Sequence, residues 1–345
     1  MKAVRIHEHG GIDKLCYEVA PEPVLNSPEV VIVKLKAASL NRFDLWVRRG
    51  LTGIALSFPR ILGGDGAGVV VEAGEGIKNV KPGDAVCLYP ASGCGQCEFC
   101  MTDREFLCAR LRVLGEREDG TYAEYVRVPG RNCFPIPTGL SFEEAAAFPL
   151  VYTTLWRMLI TNGRLKPGEW VLILGIGGGV ASAALQVAAH MGARTIVTSS
   201  SDDKLAMAKQ RGAEYGINHR TADFGKEVRR LTGKRGVDIV VDCVGGDGWV
   251  KSLTALAKGG RLVTCDAIAG SSPRTDIQRI FWNHLTIFGS TLGSREEFRQ
   301  ALNFIESTRM RPIIDRVFPL KDTAQAQRHM EDDNQFGKIV LRVEQ

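Results

Sequence analysis

The glycine-rich run from Gly175 to Ala181 constrains the fold of this 345-residue chain more than any other feature of its sequence. It follows the apolar run Trp170 to Leu174 and precedes the helical pattern Val180 to Met191, which predicts a strand, a tight turn and a helix. Glycines permit the turn, and the free N–H groups at a helix start bind a pyrophosphate. The run therefore predicts a dinucleotide site formed by Gly175, Gly178, Gly179 and Val180.

The rest of the second half alternates between strand-like and helix-like segments. Ser141 to Glu144 is a capping-box pattern that predicts the start of a long helix reaching toward Ile160. A helical pattern also covers Asp203 to Arg211. Strands alternating with helices are typical of a parallel sheet in an α/β domain. The other predicted strands of this sheet are Thr195 to Thr198, Asp238 to Asp242, Arg261 to Thr264 and Leu285 to Phe288.

The first 130 or so residues have a different texture, with short β-rich runs separated by glycine and proline. Examples are Val30 to Leu35 and Gly68 to Ala73, with a turn pattern at Lys81 to Asp84. We therefore expect a barrel-like all-β module. The length of the chain indicates two domains. The last strand, from Lys338, has no place in the parallel sheet, and we expect it to return to the first domain.

Four cysteines with the spacing C-x2-C-x2-C-x7-C predict a metal site. Four thiolates complete the tetrahedral coordination of zinc, so one structural zinc per chain is expected. An iron–sulfur cluster is the less favoured alternative, because Ala109 rather than proline follows the last cysteine. Disulfides are disfavoured by the odd total of nine cysteines. The ligands would be Cys94, Cys97, Cys100 and Cys108.

Composition and charge narrow the possible setting and partners. The formal charge of +5 is dispersed, and its densest stretch, Lys226 to Arg235, is interpreted as a solvated helix face rather than a nucleic-acid surface. The N-terminus lacks the apolar core of a signal peptide, and no run of eighteen apolar residues occurs. We therefore expect a cytoplasmic protein with no membrane partner.

The end of the second predicted strand bears on the identity of the dinucleotide. NAD-specific sites place an acid there, on the ribose hydroxyls. Here the residues are Ser199 and Ser200, with Lys204 one helical turn later. Hydroxyls and a lysine suit a 2′-phosphate, so NADPH is the expected cofactor. Asp202 and Asp203 lie slightly too far along and are interpreted as charges at the start of the next helix.

The whole chain resembles the medium-chain dehydrogenase/reductase superfamily of zinc alcohol dehydrogenases and quinone oxidoreductases. The resemblance rests on Gly63 to Gly74, Val80 to Asp84, the cysteine quartet, Gly120 to Tyr125 and the glycine run. It implies a GroES-like β-barrel catalytic domain at 1–130 and 292–345, with a zinc lobe at 90–110. It also implies a Rossmann domain with a doubly wound parallel sheet at 131–291, and assembly into a homodimer or homotetramer.

The departures from the superfamily bear on the reaction. Zinc alcohol dehydrogenases have a cysteine where this chain has Asn41, and a His-Glu pair where it has Gly64 and Asp65. The resemblance therefore implies that the structural zinc is kept and the catalytic zinc is lost. Asn41 and Asp44 match the quinone-oxidoreductase branch, which implies hydride transfer from NADPH to a quinone or an α,β-unsaturated carbonyl. Asn41 would stabilise an enolate oxygen. Alternatively, Asn41 and Asp44 cap the helix that starts here.

The resemblance assigns four further residues to the cofactor. Thr154 would lie against the nicotinamide carboxamide, and Gly245 would lie near the nicotinamide. Lys338 would approach the cofactor from the returning tail, and His219 would stand beside the 2′-phosphate. The tyrosine that enoyl-thioester reductases of the superfamily place near Thr52 is absent, so the proton donor is unidentified.

Two other functions stay open at this point. The first is an NADP-dependent zinc alcohol dehydrogenase, for which Cys87 is the nearest additional ligand. The second is a non-catalytic NADPH-binding sensor or RNA-associated protein, which the missing proton donor and the basic stretch at Lys226 would fit.

Overall fold

The computed structural model describes residues 1–50 and 56–344, and Thr52 lies outside them. The chain divides into two compact units. The first unit comprises Met1–Leu150 and Ser294–Gln345, and the second comprises Val151–Gly293. None of the described helices is long and apolar enough to span a membrane.

The first unit is rich in short strands, as its glycine and proline content predicts. Its strands are β1 (Lys2–Ile6), β2 (Cys16–Val19), β3 (Val30–Ser39), β4 (Arg60–Ile61), β5 (Asp65–Ala73), β6 (Ala85–Leu88), β7 (Ala91–Ser92), β8 (Arg112–Val113), β9 (Tyr125–Pro129), β10 (Cys133–Pro135), β17 (Ile314–Pro319) and β18 (Lys338–Arg342). Its helices are α1 (Arg42–Arg49), α2 (Phe142–Ala146), α9 (Arg295–Thr308) and α10 (Thr323–Glu331).

The long strand β3 organises the first unit. It pairs antiparallel with β5, β9 and β18 within a seven-stranded sheet. The apolar side chains of Val31, Val33 and Leu35 alternate along β3 into a buried core. The pairing of β18 with β3 confirms that the last strand returns to the first unit. It also brings the start of β18 close to the end of β3.

The second unit is a doubly wound α/β fold, as predicted. Its parallel sheet has the order β13-β12-β11-β14-β15-β16, the dinucleotide-binding order 3-2-1-4-5-6. The strand β13 was not predicted. The strands are β11 (Trp170–Ile173), β12 (Arg194–Ser199), β13 (Tyr215–Asn218), β14 (Val237–Asp242), β15 (Leu256–Thr264) and β16 (Thr286–Gly289). The helices are α4 (Gly179–His190), α5 (Asp202–Gln210), α6 (Phe224–Leu231), α7 (Gly248–Ala255) and α8 (Ile277–Trp282).

The segment 131–150 belongs to the first unit, whereas the sequence analysis assigned it to the dinucleotide-binding domain. The reason is pairing and packing, since β10 pairs with β6 and α2 packs on β3. The capping box at Ser141 and Glu144 is confirmed. The predicted long helix is interrupted, because α2 ends at Ala146 and α3 (Pro149–Trp156) begins anew at a proline, which lacks the N–H that a continuous helix requires. A π-helical turn at Arg157–Asn162 follows.

One edge of the second unit's sheet is formed by β16, and near it lies an exposed apolar group on α8. Ile277, Phe281 and Trp282 are each 60% exposed or more. Such a patch is typical of an interface. The homodimer or homotetramer itself stays a prediction.

Candidate functional site

The glycine run forms the turn that the sequence predicts. Gly175 has a left-handed backbone, with φ of 67°, and its N–H donates to Thr198 Oγ1 at 3.2 Å. Gly178 is the N-cap of α4. A Cβ added at Gly178 would have only the Gly175 carbonyl oxygen within 4 Å, so space is open in front of the helix. A twelve-residue helix with an open, glycine-lined start fits the pyrophosphate of a dinucleotide.

The ends of β12 and β13 hold the residues predicted for the 2′-phosphate. Ser199 closes β12, and its carbonyl accepts the backbone N–H of His219 at 3.0 Å. The pKa of His219 is lowered by desolvation of the ring and by the charges of Arg220 and Lys251. Ser200 is half-buried and is followed by Ser201, whose hydroxyl caps α5. Arg220 and Lys251 therefore lie near His219, and Lys251 also pairs with Asp223 at 3.6 Å.

The predicted acids of α5 have the structural role that the sequence analysis assigned to them. Asp202 and Asp203 occupy the first turn of the helix, where negative charge is favourable. Asp202 also accepts the side-chain N–H of Asn218 at 2.8 Å. Thr154 lies on α3 and is buried, with its hydroxyl 3.5 Å from the Thr291 carbonyl oxygen. Gly245 adopts a left-handed backbone, with φ of 66°.

In the first unit, a buried network surrounds the carboxylate of Asp65. Its Oδ2 accepts hydrogen bonds from Lys338 Nζ at 3.0 Å and from Asn41 Nδ2 at 2.9 Å. Its Oδ1 accepts the backbone N–H of Leu150 at 2.9 Å. The hydroxyl of Ser39, which faces Asp65 across the β3–β5 pair, lies 3.2 Å from Oδ2. All of these side chains are at most 6% exposed.

Lys338 completes this network. Its ammonium donates to Asp65 and also to the Leu40 carbonyl oxygen at 2.7 Å and to Asn41 Oδ1 at 2.6 Å. Three N–H groups thus meet three acceptors, which satisfies a buried ammonium. The sequence analysis did not anticipate these partners for Lys338. Its contact with the cofactor stays a prediction.

The neighbours of Asn41 determine which way its amide points. An ammonium can only donate hydrogen bonds, and a carboxylate can only accept them. Oδ1 must therefore face Lys338, and Nδ2 must face Asp65, as the structure has them. The hydrogen bond to Asp65 uses one of the two Nδ2 protons of Asn41. The network fixes the amide and therefore also fixes the direction of the second proton.

Asp44 lies in the first turn of α1 and forms part of the cap of that helix. Its carboxylate accepts the backbone N–H of Asn41 at 2.7 Å and the hydroxyl of Tyr122 at 2.8 Å. Burial raises the pKa of Asp44 to about 6, although both donors favour the charged form. These contacts support the alternative that Asp44 caps α1. Its catalytic role stays a prediction.

The four predicted zinc ligands lie together in the first unit. The Sγ atoms of Cys94, Cys97, Cys100 and Cys108 are all within 4.8 Å of one another. Cys94 and Cys100 are 3.9 Å apart, close to the ~3.8 Å between sulfurs around a tetrahedral zinc. Backbone N–H groups of Cys94 and Arg110 approach the Cys108 sulfur at 3.4 Å. This donor set fits a zinc ion.

Sequence reasoning missed Asp65, Ser39 and Tyr122 as members of the site. The sequence analysis named Asp65 only as a residue that stands in place of the His-Glu pair of zinc alcohol dehydrogenases. The two glycines directly before Asp65 were the signal in the sequence that could have indicated a closely packed site. Gly63 is one of them, and its lack of a side chain makes room for Tyr122. A Cβ at Gly63 would lie 2.4 Å from the Tyr122 ring, and its backbone φ is +100°. Ser39 and Tyr122 carried no motif of their own.

Comparison with known proteins adds independent evidence. Residues 27–138 match the alcohol dehydrogenase GroES-like domain, and residues 179–307 match the zinc-binding dehydrogenase family. A zinc-type alcohol dehydrogenase-like protein of Schizosaccharomyces pombe is 34% identical over 98% of this chain and 97% of its own length.

Two solved structures extend the comparison. The crystal structure of an NAD-dependent alcohol dehydrogenase is 42% identical, with a TM-score of 0.95 and complete coverage of both chains. A crotonyl-CoA carboxylase/reductase is 26% identical, with a TM-score of 0.93, over 99% of this chain and 88% of the other.

The quartet predicts the metal content of the protein. Wild-type protein should carry one zinc per chain, and Cys97→Ser should lower this value to near zero because three thiolates hold zinc weakly. Elemental analysis of dialysed protein measures it. Cys16→Ser, a partly exposed cysteine outside the quartet, is the matched control and should keep the zinc. A full complement of zinc in Cys97→Ser would contradict this assignment.

The buried carboxyl of Asp44 predicts a dependence of stability on pH. The folded chain holds this proton more tightly than the unfolded chain, whose aspartates have a pKa near 3.9. The contribution of Asp44 to the free energy of unfolding should therefore fall as pH rises from about 4 to about 6.

The neutral variant Asp44→Asn isolates this effect. The melting temperature of this variant, measured by circular dichroism at each pH, should increase relative to that of the wild type as pH rises from about 4 to about 6. Asp332→Asn, at an exposed site, should follow the wild type. A constant difference between wild type and Asp44→Asn would show that Asp44 stays charged.

Proposed function

Because this chain belongs to the medium-chain dehydrogenase/reductase superfamily of oxidoreductases, we propose that it reduces a quinone or an α,β-unsaturated carbonyl with NADPH, without a catalytic metal. The observation that carries the proposal is the buried ion pair between Lys338 and Asp65. It occupies the position at which the resemblance to zinc alcohol dehydrogenases would require metal ligands.

The charge of Lys338 opposes a zinc ion at this place. Its ammonium already neutralises Asp65 and fills the acceptors around it. A dication within a few ångströms would meet a buried positive charge, and such repulsion is weakly screened away from water. Asn41 and Gly64 supply no soft donor in place of the cysteine and histidine.

Other zinc ligands are also scarce in the part of the chain that the structure describes. Among residues 1–50 and 56–344, the quartet is the one group of three or more candidate side chains found close enough to hold a metal. Cys87, the extra ligand that the alcohol dehydrogenase alternative needs, is fully buried. Its burial raises the pKa of its thiol, which disfavours the thiolate that zinc binds.

The network instead suits a reaction that develops negative charge on a substrate oxygen. Bound NADPH would supply the hydride, which adds to the β-carbon of an enone or to a quinone. An amide N–H held in one orientation can stabilise the resulting oxyanion without reorganising. We assign this role to the second Nδ2 proton of Asn41, because Lys338 and Asp65 fix the amide from both ends. The name of the similar crotonyl-CoA carboxylase/reductase supports an unsaturated acyl group as one kind of substrate.

The proposed choice of NADPH rests on charge at the ends of β12 and β13. The first residue after β12 is Ser200 rather than an acid, and Asp202, the next acid along the chain, already accepts a hydrogen bond from Asn218. The charges of Arg220 and Lys251 act on His219 at the adjacent strand end. A 2′-phosphate would be attracted to such a group of cations. Because a similar solved structure is named NAD-dependent, both cofactors belong in the test.

A zinc alcohol dehydrogenase is the second candidate, favoured by the names of similar proteins. It makes opposite predictions. It requires two zincs per chain and alcohol oxidation that chelators abolish, whereas the reductase requires one zinc and turnover of quinones or enones. A chain that binds NADPH but turns over none of these substrates would support the non-catalytic alternative.

The role of Asn41 predicts a selective loss of turnover. Asn41→Ala removes the proposed oxyanion donor, so kcat for a quinone or enone should fall by about 10²- to 10³-fold. The dissociation constant of NADPH, measured by fluorescence, should change little. Asn26→Ala, at an exposed site of the same unit, is the control and should retain full activity. Unchanged kcat in a folded Asn41→Ala protein would remove Asn41 from the mechanism.

The strand-end serine predicts a switch in cofactor preference. Ser200→Asp places a carboxylate where it repels a 2′-phosphate and can accept ribose hydroxyls. NADPH affinity should fall at least about tenfold, and NADH affinity should rise. Titrations with both cofactors measure this, and Ser272→Asp is the matched control at an exposed site of the same unit. If the wild type binds NADH more tightly than NADPH, the choice of cofactor is wrong.

A further inference from the structure

Two cysteines end neighbouring strands at the carboxyl edge of the second unit's sheet. Cys243 follows β14, and Cys265 follows β15. Their preceding residues, Asp242 and Thr264, are paired in register, so the cysteines lie side by side. The two Sγ atoms are 3.4 Å apart.

We infer that Cys243 and Cys265 form a reversible disulfide when the protein meets a hydroperoxide, and that the oxidised form binds the nicotinamide dinucleotide more weakly. The formation of the disulfide is independent of the proposed function. The weaker binding of the dinucleotide by the oxidised form rests on the proposed function.

The two cysteines differ in their exposure to solvent, and this difference determines which one reacts with the peroxide first. Cys265 is partly exposed, whereas Cys243 is 8% exposed, and its pKa is raised by the hydrogen bond with Cys265 and by burial. The Cys265 thiolate attacks one oxygen of hydrogen peroxide, and the O–O bond breaks. The leaving hydroxide takes up the proton that the thiol released, which gives a sulfenic acid and one water. The Cys243 thiol then attacks that sulfur and expels the second water. The two thiols lose two hydrogens, and the hydroperoxide accepts two electrons.

The new bond would displace a tightly connected pair of loops. A disulfide has sulfurs about 2.05 Å apart, so the two side chains must approach each other. The loops that carry them are joined by hydrogen bonds from Ala269 N to the Val244 oxygen at 2.8 Å and from Gly246 N to the Gly270 oxygen at 2.9 Å. A Cβ at Gly245 would lie 2.8 Å from the Gly270 oxygen, which shows how little space separates the loops.

The same loops lie where a dinucleotide binds in this fold. In doubly wound sheets, ligands bind outside the carboxyl ends of the strands. Asp242 ties the first loop to the sheet, because its carboxylate accepts the N–H groups of Val244 and Gly245 at 2.9 Å. A shift of Cys243 therefore moves the backbone at Gly245, the residue that the sequence analysis placed beside the nicotinamide.

The disulfide is tested on the zinc-loaded full chain with hydrogen peroxide. Non-reducing tryptic digestion and mass spectrometry should show a peptide pair joining Cys243 and Cys265, lighter by two hydrogens and released by dithiothreitol. Cys265→Ser should abolish it, whereas Cys16→Ser, another partly exposed cysteine, should retain it. Cys243→Ser changes a buried side chain and can disturb the fold, so Cys265→Ser, at a partly exposed position, is the variant that tests the disulfide. Absence of the pair, or cross-links only to other cysteines or between chains, would overturn the inference.

The coupling is tested by titrating NADPH into reduced and oxidised protein. Oxidation should weaken binding by a factor within the range of about 5 to 150 that is typical of coupled sites. By reciprocity, saturating NADPH should make the pair harder to oxidise in a glutathione buffer. Equal affinities in a fully cross-linked sample would overturn the coupling. If the reduced protein binds neither NADPH nor NADH, the proposed function is wrong. In that case the cross-linked peptide pair alone would show whether the disulfide forms.

Discussion

The buried ion pair between Asp65 and Lys338 connects several elements of the first unit. Asp65 starts β5, Lys338 starts β18, and Asn41 caps α1 between them. Removing one partner of such a pair leaves an uncompensated buried charge, which typically costs about 3–5 kcal/mol. This one carboxylate therefore contacts the N-cap residue of α1, the first residue of β18 and the first turn of α3.

The same pair links architecture to chemistry. A carboxylate and an ammonium on opposite sides of one amide leave Asn41 a single orientation. A preorganised N–H donor is what a metal-free reduction requires at the oxygen where charge develops. The charge that stabilises the fold at this point also disfavours a second metal ion there. Stability and the proposed mechanism thus rest on the same side chains.

The cysteine quartet that fits zinc lies apart from the Asp65–Lys338 pair in the first unit. The cysteine lobe is connected to the rest of the first unit by Glu105, which is 2% exposed and accepts the backbone N–H of Arg295 at 2.8 Å. Four thiolates would leave no open position on a zinc ion, so a zinc bound in this lobe would stabilise structure rather than activate a substrate. The second unit carries its own pair of thiols, Cys243 and Cys265, at a strand edge where no metal ligand set is complete among the described residues.

Much of the fold could be predicted because it depends on local patterns. The glycine run between a strand and a helix, the cysteine spacing and the capping box at Ser141 each involve residues close in sequence, and the structure has them as expected. The interruption at Pro149 is also local, because proline lacks the N–H of a continuous helix, but the sequence analysis did not include it. The strand β13 and the membership of 131–150 in the first unit depended on packing. By itself the sequence determined the fold class, the grouping of the four cysteines and the glycine turn. Only the tertiary structure decided that Lys338 pairs with Asp65, that Tyr122 reaches Asp44 and that Cys243 meets Cys265, because these partners are distant in the chain and meet only when strands pair and elements pack.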